Sequence, residues 1–237
     1  MADYSVYNNY ISNLTSLTAF KSHPNYTYML EHVNREQGEA YCQLLMKSYP
    51  VDFIESFCKL NDSIGSPHKY SFHALSIPVS PTSLRYLYHA HLILKHFAVQ
   101  PEVHIVEVGG GYGGLCLAIH VLSKLLNKTI NSYHIIDLDS AGKLQKKYLE
   151  NFSIPVETSS ASEYGKYLTR TDYCFVSNYC FSEIDKLHQE QYIQHLIPKT
   201  KTGFLAWNNI PLYNFGKEVV SETENPLTGP RNLYVYF

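Results

Sequence analysis

Glu107 stands two residues before a run with five glycines in six positions, Gly109-Gly110-Gly111-Tyr112-Gly113-Gly114, and a second acid, Asp137, follows Gly114 by 23 residues at the end of another apolar run. This set suits nucleoside binding. Glycines let the backbone take positive φ and let a ligand approach the main chain, while amide N–H groups opening the next helix remain free for polar or anionic groups. A carboxylate placed as Asp137 is can accept the two hydroxyls of a ribose. Residues 104–108 are β-branched apart from His104 and Glu107, and the apolar stretch 115–126 comes straight after the glycines, so the order reads strand, tight turn, helix.

Two cofactors fit the glycines alone. Gly109, Gly111 and Gly114 satisfy the dinucleotide pattern G-x-G-x-x-G, and Glu107, Gly109, Gly111 and Gly113 satisfy the E-x-G-x-G-x-G of S-adenosylmethionine (SAM) sites. Glu107 separates them. A carboxylate there repels the pyrophosphate of NAD and attracts the ammonium and sulfonium of SAM. Asp137 is common to both kinds of site, and a tight turn with no ligand is the remaining reading of the glycines.

The string Glu107-Val108-Gly109-Gly110-Gly111-Tyr112-Gly113-Gly114, with Ile135-Ile136-Asp137-Leu138 and Ser177-Asn178-Tyr179-Cys180-Phe181-Ser182-Glu183, resembles the class I SAM-dependent methyltransferases. More narrowly it resembles the sugar O-methyltransferase group, to which Asn61-Asp62-Ser63-Ile64-Gly65-Ser66-Pro67 and Ser80-Pro81-Thr82-Ser83-Leu84-Arg85-Tyr86 are also similar; the likeness covers residues 55–237. It implies an α/β fold: a Rossmann-like, doubly wound, mostly parallel seven-stranded sheet with an N-terminal helical cap over the acceptor site. It implies SAM as cofactor, S-adenosylhomocysteine (SAH) as product, and a sugar hydroxyl of a glycan or nucleotide-linked sugar as acceptor. The cofactor residues it implies are Glu107, Gly109, Gly110, Gly111, Gly113, Asp137 and Leu138, with Ser160 and Ala161 near the adenine. Ser177 and Asn178 join them at the end of the fourth strand, and Arg85 at the methionine carboxylate.

The elements that must hold these residues follow from pattern. Residues 1–22 are polar and read as a short helix or a loose arm; from residue 23 apolar positions recur at helical spacing to residue 57, which predicts two or three cap helices. We divide the chain at 1–79, the cap and lid region, and 80–237, the SAM-binding domain. Residues 67–81, with His68 and His73, read as a loop or lid over the pocket, or as a plain surface connection. Ser80 and Pro81 are N-cap and first residue of a helix to residue 97, where Arg85 lies one turn inside. An ordinary surface salt bridge is the other reading of Arg85. Strands and helices then alternate through residues 133–137, 156–158, 172–178 and 203–207, and the alternating tail 231–237 predicts a last, antiparallel strand. Residues 211–230 are polar and predicted mobile.

Ligands bind at the carboxyl ends of strands in open α/β sheets, so the stretch after residue 177 is where acceptor chemistry belongs. Glu183 is the first candidate for general base, although a Glu after Ser182 also suits a helix start. His188 and His73 are further bases, because imidazole titrates near neutrality. His68, Tyr112, Tyr179, Trp207, Asn208 and Asn209 are candidates for holding a sugar, with core packing the alternative for Trp207. His89, His91 and His96 share one helix but no pair has i, i+4 spacing, and we expect no metal site.

A formal charge of −2 and a pI near 6.6 argue against a nucleic-acid partner. Five cysteines, an odd number without C-x-x-C spacing, read as reduced core residues, and neither a membrane span nor a signal peptide is visible, so we expect a cytoplasmic location. The 237 residues can also be one domain of a larger glycan-building enzyme. Two rivals stay open. An NAD(P)-dependent oxidoreductase would use a Tyr-x-x-x-Lys pair, for which Tyr213 and Lys217 have the spacing; a non-catalytic SAM-binding module would need no base at all.

Overall fold

The computed structural model describes residues 4–237. Five helices come first: α1 (Tyr4–Ser12), α2 (Pro24–Thr27), α3 (Arg35–Met46), α4 (Val51–Asn61) and α5 (Pro81–His96). Then come β1 (His104–Val108), α6 (Gly114–Leu125), β2 (Ser132–Asp137), α7 (Asp139–Glu150), β3 (Glu157–Ser160), β4 (Tyr173–Asn178), α8 (Lys186–His195), β5 (Thr200–Trp207), β6 (Val220–Thr223) and β7 (Leu233–Tyr236). The helix starts are chemical. Ser80 Oγ accepts the Thr82 amide at 3.2 Å with Pro81 in the first turn, and Asn34 and Gln37 form a reciprocal capping box at α3.

The strands form one seven-stranded sheet in the order β3-β2-β1-β4-β5-β7-β6. β1 to β5 run parallel and β7 lies antiparallel between β5 and β6. This is the Rossmann-like, mostly parallel sheet predicted from the sequence. Alternation along β1 divides its side chains between two cores. Ile105 joins the core shared with α3 to α7, whereas Val106 and Val108 join the one under α8 with Phe181 and Trp207. Glu107 therefore falls on the Ile105 side, next to Tyr133 of β2.

Residues 211–230, predicted mobile, instead contain β6, and here the polar pattern misled. Val-Ser-Glu-Thr has no apolar face because β6 is the sheet's exposed edge, held only by its ladder to β7. No helix among the described residues is long and apolar enough to cross a membrane.

Candidate functional site

A cavity of about 850 Å³ opens where β1, β2 and β4 end, with Gly109, Gly110 and Gly111 in its wall. It lies where the strand order reverses, β1 having β2 on one side and β4 on the other, which is the crevice such sheets leave for ligands. Gly109 has φ +79°, and a Cβ there would meet the Cys180 side chain at 2.3 and 2.4 Å. No other residue fits that turn.

Two carboxyl groups line the cavity and differ in environment. Asp137 accepts the Leu138 amide and Gln145 Nε2, each at 2.8 Å; burial raises its pKa to about 6, while those bonds and the amides of Gly110 and Gly111 hold it down. The two hydrogen bonds use one acceptor site on each oxygen, and the glycine amides bear on the same carboxyl. Glu107 is 1% exposed and has one partner, the Tyr133 hydroxyl at 2.8 Å. Burial pushes its pKa up to about 8, so at neutral pH it holds its proton until a cation comes near.

Arg85 is 4% exposed and lines the same cavity. Its Nη2 donates to the Leu30 carbonyl at 3.3 Å and its guanidinium carbon lies 5.5 Å from the Tyr179 ring, yet Nε and Nη1 have no partner. It forms no salt bridge among the described residues, so it is not the surface ion pair that the sequence left open. A buried guanidinium with idle N–H groups is costly, and an anionic ligand would satisfy it.

At the far end, half-buried Glu183 accepts the Tyr4 hydroxyl at 2.8 Å and a short bond from Asn208 Nδ2. Asn208 Nδ2 also donates to the Tyr179 carbonyl at 3.0 Å. Tyr179 has φ +59° and donates its hydroxyl to buried Glu224, whose other oxygen accepts the Thr228 amide at 2.7 Å. Leu138, Ala161, Asn178 and Asn209 line the cavity too. His188 stands exposed at its rim, with Nδ1 on the Tyr164 hydroxyl at 2.7 Å and Nε2 3.6 Å from Asp185, the N-cap of α8.

Other predicted residues lie elsewhere. Ser160 faces a neighbouring cavity of about 540 Å³, in which Ala161 also shares. Buried Ser177 donates to the Val108 carbonyl at 2.8 Å and accepts the Phe181 amide at 3.0 Å, tying the turn after β4 rather than reaching the cavity. Gly113 is the left-handed N-cap of α6, outside the cavity wall. Trp207 is fully buried, stacked on Phe215, with Nε1 donating to the Ile210 carbonyl at 2.9 Å. His68 and His73 are exposed and no residue of 67–81 lines the cavity, while Phe72 and Val79 of this segment are buried in the core. The walls there come instead from Tyr4 and Tyr7 of α1, from Met29, Leu30 and His32, and from Thr228, Gly229, Pro230 and Asn232. No local pattern marks these as ligand-facing.

Tyr112 points behind the glycine loop, into a closed polar cluster. Asn61 Nδ2 donates to Ser83 Oγ at 2.6 Å and to the Tyr112 hydroxyl at 3.0 Å, while Asn61 Oδ1 accepts the Tyr148 hydroxyl at 2.8 Å. Asp62 accepts the Ser80 amide at 2.8 Å and Ser83 Oγ at 2.6 Å. Lys21, fully buried, donates to the Asn61 carbonyl at 2.7 Å and sits 4.1 Å from the centre of the Tyr112 ring. The two upstream strings of the resemblance thus meet each other, and they join the cap helices to the sheet domain.

Such a fold, with a nucleoside-sized crevice at the strand ends, is that of a Rossmann-like α/β protein. No protein-family model matches the chain, and no curated protein matches it. Among solved structures it is similar to a SAM-dependent methyltransferase from Aquifex aeolicus, at 16% identity over 64% of this chain and 89% of that one, with a TM-score of 0.48. It is also similar to a SAM-dependent methyltransferase from Clostridium acetobutylicum, at 11% identity over 50% of this chain and 49% of the other, with a TM-score of 0.41. A protein from Pyrococcus horikoshii is similar at 10% identity over 50% of this chain and 54% of its own, with a TM-score of 0.40. The chain spans about half the length of the last two.

Proposed function

We propose that the chain is a SAM-dependent O-methyltransferase acting on a sugar hydroxyl. The observation that carries this reading is the grouping in one cavity of three groups that SAM matches: Glu107, a buried carboxyl with one partner, able to ionise when a cation arrives; Arg85, buried without a salt bridge and with idle N–H groups; and Asp137, an acceptor at the end of β2. An ammonium, a carboxylate and a ribose answer them, and SAM carries all three. NAD carries a pyrophosphate, which offers Glu107 no cation. The oxidoreductase reading also loses its pair, since Tyr213 donates its hydroxyl to the Phe181 carbonyl and Lys217 Nζ to the Thr200 carbonyl.

When bound, SAM supplies a methyl group on a positively charged sulfur. The protein's part is to orient and to take a proton. Asn209 and Asn232 offer amides that both donate and accept, which matches the double character of sugar hydroxyls, while Asn208, with both N–H bonds committed, offers its oxygen. With SAM bound, the chemistry supplied would be in-line transfer of that methyl to a sugar oxygen, with the sulfur leaving with its electron pair, and Glu183 would receive the hydroxyl proton. Tyr4 and Asn208 hold that carboxylate in place.

Calorimetric titration with SAH, NAD(H) and NADP(H), followed by methyl transfer from labelled SAM to a panel of mono- and oligosaccharides, tests the reading. We expect SAH alone to bind, and Glu183→Gln to lower turnover by about 10²-fold with SAH affinity unchanged. Binding of NAD(H) without SAH would overturn the cofactor, and SAH binding with no sugar methylated would overturn the acceptor.

A further inference from the structure

His89 is 0% exposed, lies one helical turn beyond Arg85 on α5, and uses both ring nitrogens. Asn178 Nδ2 lies 2.9 Å from its Nδ1 and the Tyr234 hydroxyl 3.4 Å from its Nε2; the Tyr234 hydroxyl is also 3.3 Å from the Asn225 carbonyl. The direction of every bond in this chain is determined from one end. A carbonyl can only accept, so Tyr234 donates to Asn225; its oxygen then accepts Nε2–H, and Nδ1 is left bare to accept from the amide of Asn178. Reversing the chain leaves the Asn225 carbonyl without this donor and makes one bond fewer. Burial and the neighbouring Arg85 charge keep the imidazole neutral, so one N–H is all it has.

The consequence reaches the cavity. With its Nδ2 committed to His89, Asn178 has Oδ1 buried and without a partner, on a residue that lines the cavity at the end of β4. Arg85, with Nε and Nη1 idle, belongs to the same corner: the Tyr179 ring lies 5.5 Å from the Arg85 guanidinium carbon and 6.0 Å from the His89 ring. We infer that His89 is a positioning residue which fixes the Asn178 amide with its carbonyl oxygen toward the cavity, so that Asn178 and Arg85 together hold the zwitterionic amino-acid end of the ligand. Arg85 takes the carboxylate, and Asn178 Oδ1 accepts one of the three ammonium N–H bonds, leaving another for Glu107. The ligand in this inference rests on the SAM reading above, whereas the amide orientation does not.

Two measurements test it. Histidine ¹⁵N shifts of the wild type, with His89 assigned by through-bond correlation, read the tautomer: we expect Nε2–H, and Nδ1–H would overturn the orientation. Titration of wild type, His89→Leu and Tyr234→Phe with SAH and with 5′-methylthioadenosine, which lacks the amino-acid end, reads the consequence. We expect His89→Leu to weaken SAH about tenfold and Tyr234→Phe about threefold, with methylthioadenosine unchanged in both. Equal losses for the two ligands would mark His89 as merely structural and overturn the proposal. A wild type that binds neither ligand would sink the cofactor reading, and the tautomer would still decide how Asn178 faces.

Discussion

Two groups of buried polar side chains lie on opposite sides of the glycine loop. Behind it, Lys21, Asn61, Asp62, Ser83, Tyr112 and Tyr148 satisfy one another, and of these six none has a buried side-chain nitrogen or oxygen left over, although neighbouring Glu31 keeps one oxygen unpaired. In front of it, buried Arg85 and half-buried Asn178 keep idle atoms, and Glu107 has a single partner. Residue type does not separate these groups, since each holds a cation, an acid and an amide. What separates them is whether the protein supplies the partner. A closed network is a structural joint; an open one marks where a ligand completes the bonding, because a buried group without a partner is kept only at a cost in stability.

Breaking the closed side should show mainly in stability. Asn61→Ala removes bonds to Ser83, Tyr112 and Tyr148 at once, and we expect a loss of about 3 kcal/mol and a Tm lower by roughly 10 °C in calorimetry. Breaking the open side should show in binding instead. Arg85→Met should weaken SAH about 30-fold while leaving Tm unchanged or raised, because the variant removes a buried charge that lacks an anion. A large fall in Tm for Arg85→Met would erase the distinction between the two clusters.

Glu107 gives the finest test, through pH. Folding raises its pKa from 4.5 to about 8, so the folded chain keeps a proton that the unfolded chain releases. The stability linked to that proton is full below pH 4.5 and is lost as pH rises to about 8. Glu107→Gln has no such proton to lose, whereas Asp137, also raised, acts equally in both proteins. Between those pH values we expect the wild type to lose roughly 10–15 °C more in Tm than the variant. Parallel curves would show that Glu107 is ionised in the free protein.

The sequence by itself determined the features that arise within a few residues. The glycine loop, the acids ending β1 and β2, the cap at Ser80-Pro81 and the parallel order of the first five strands follow from sterics and periodicity along the backbone. It also offered Glu183, by its place just after the fourth strand, and Arg85, through the resemblance, and both line the cavity. Only the tertiary structure decided which way side chains face once distant segments meet. Tyr112, next to the glycines, turns away from the cavity toward Asn61, and Trp207 closes a core. Tyr4 comes 179 positions along the chain to meet Glu183, and His89 meets Asn178 across 89. Such partners carry no local signal: a hydrogen bond depends on separation in space, and spacing along the chain fixes that separation only within a helix turn or a strand pair.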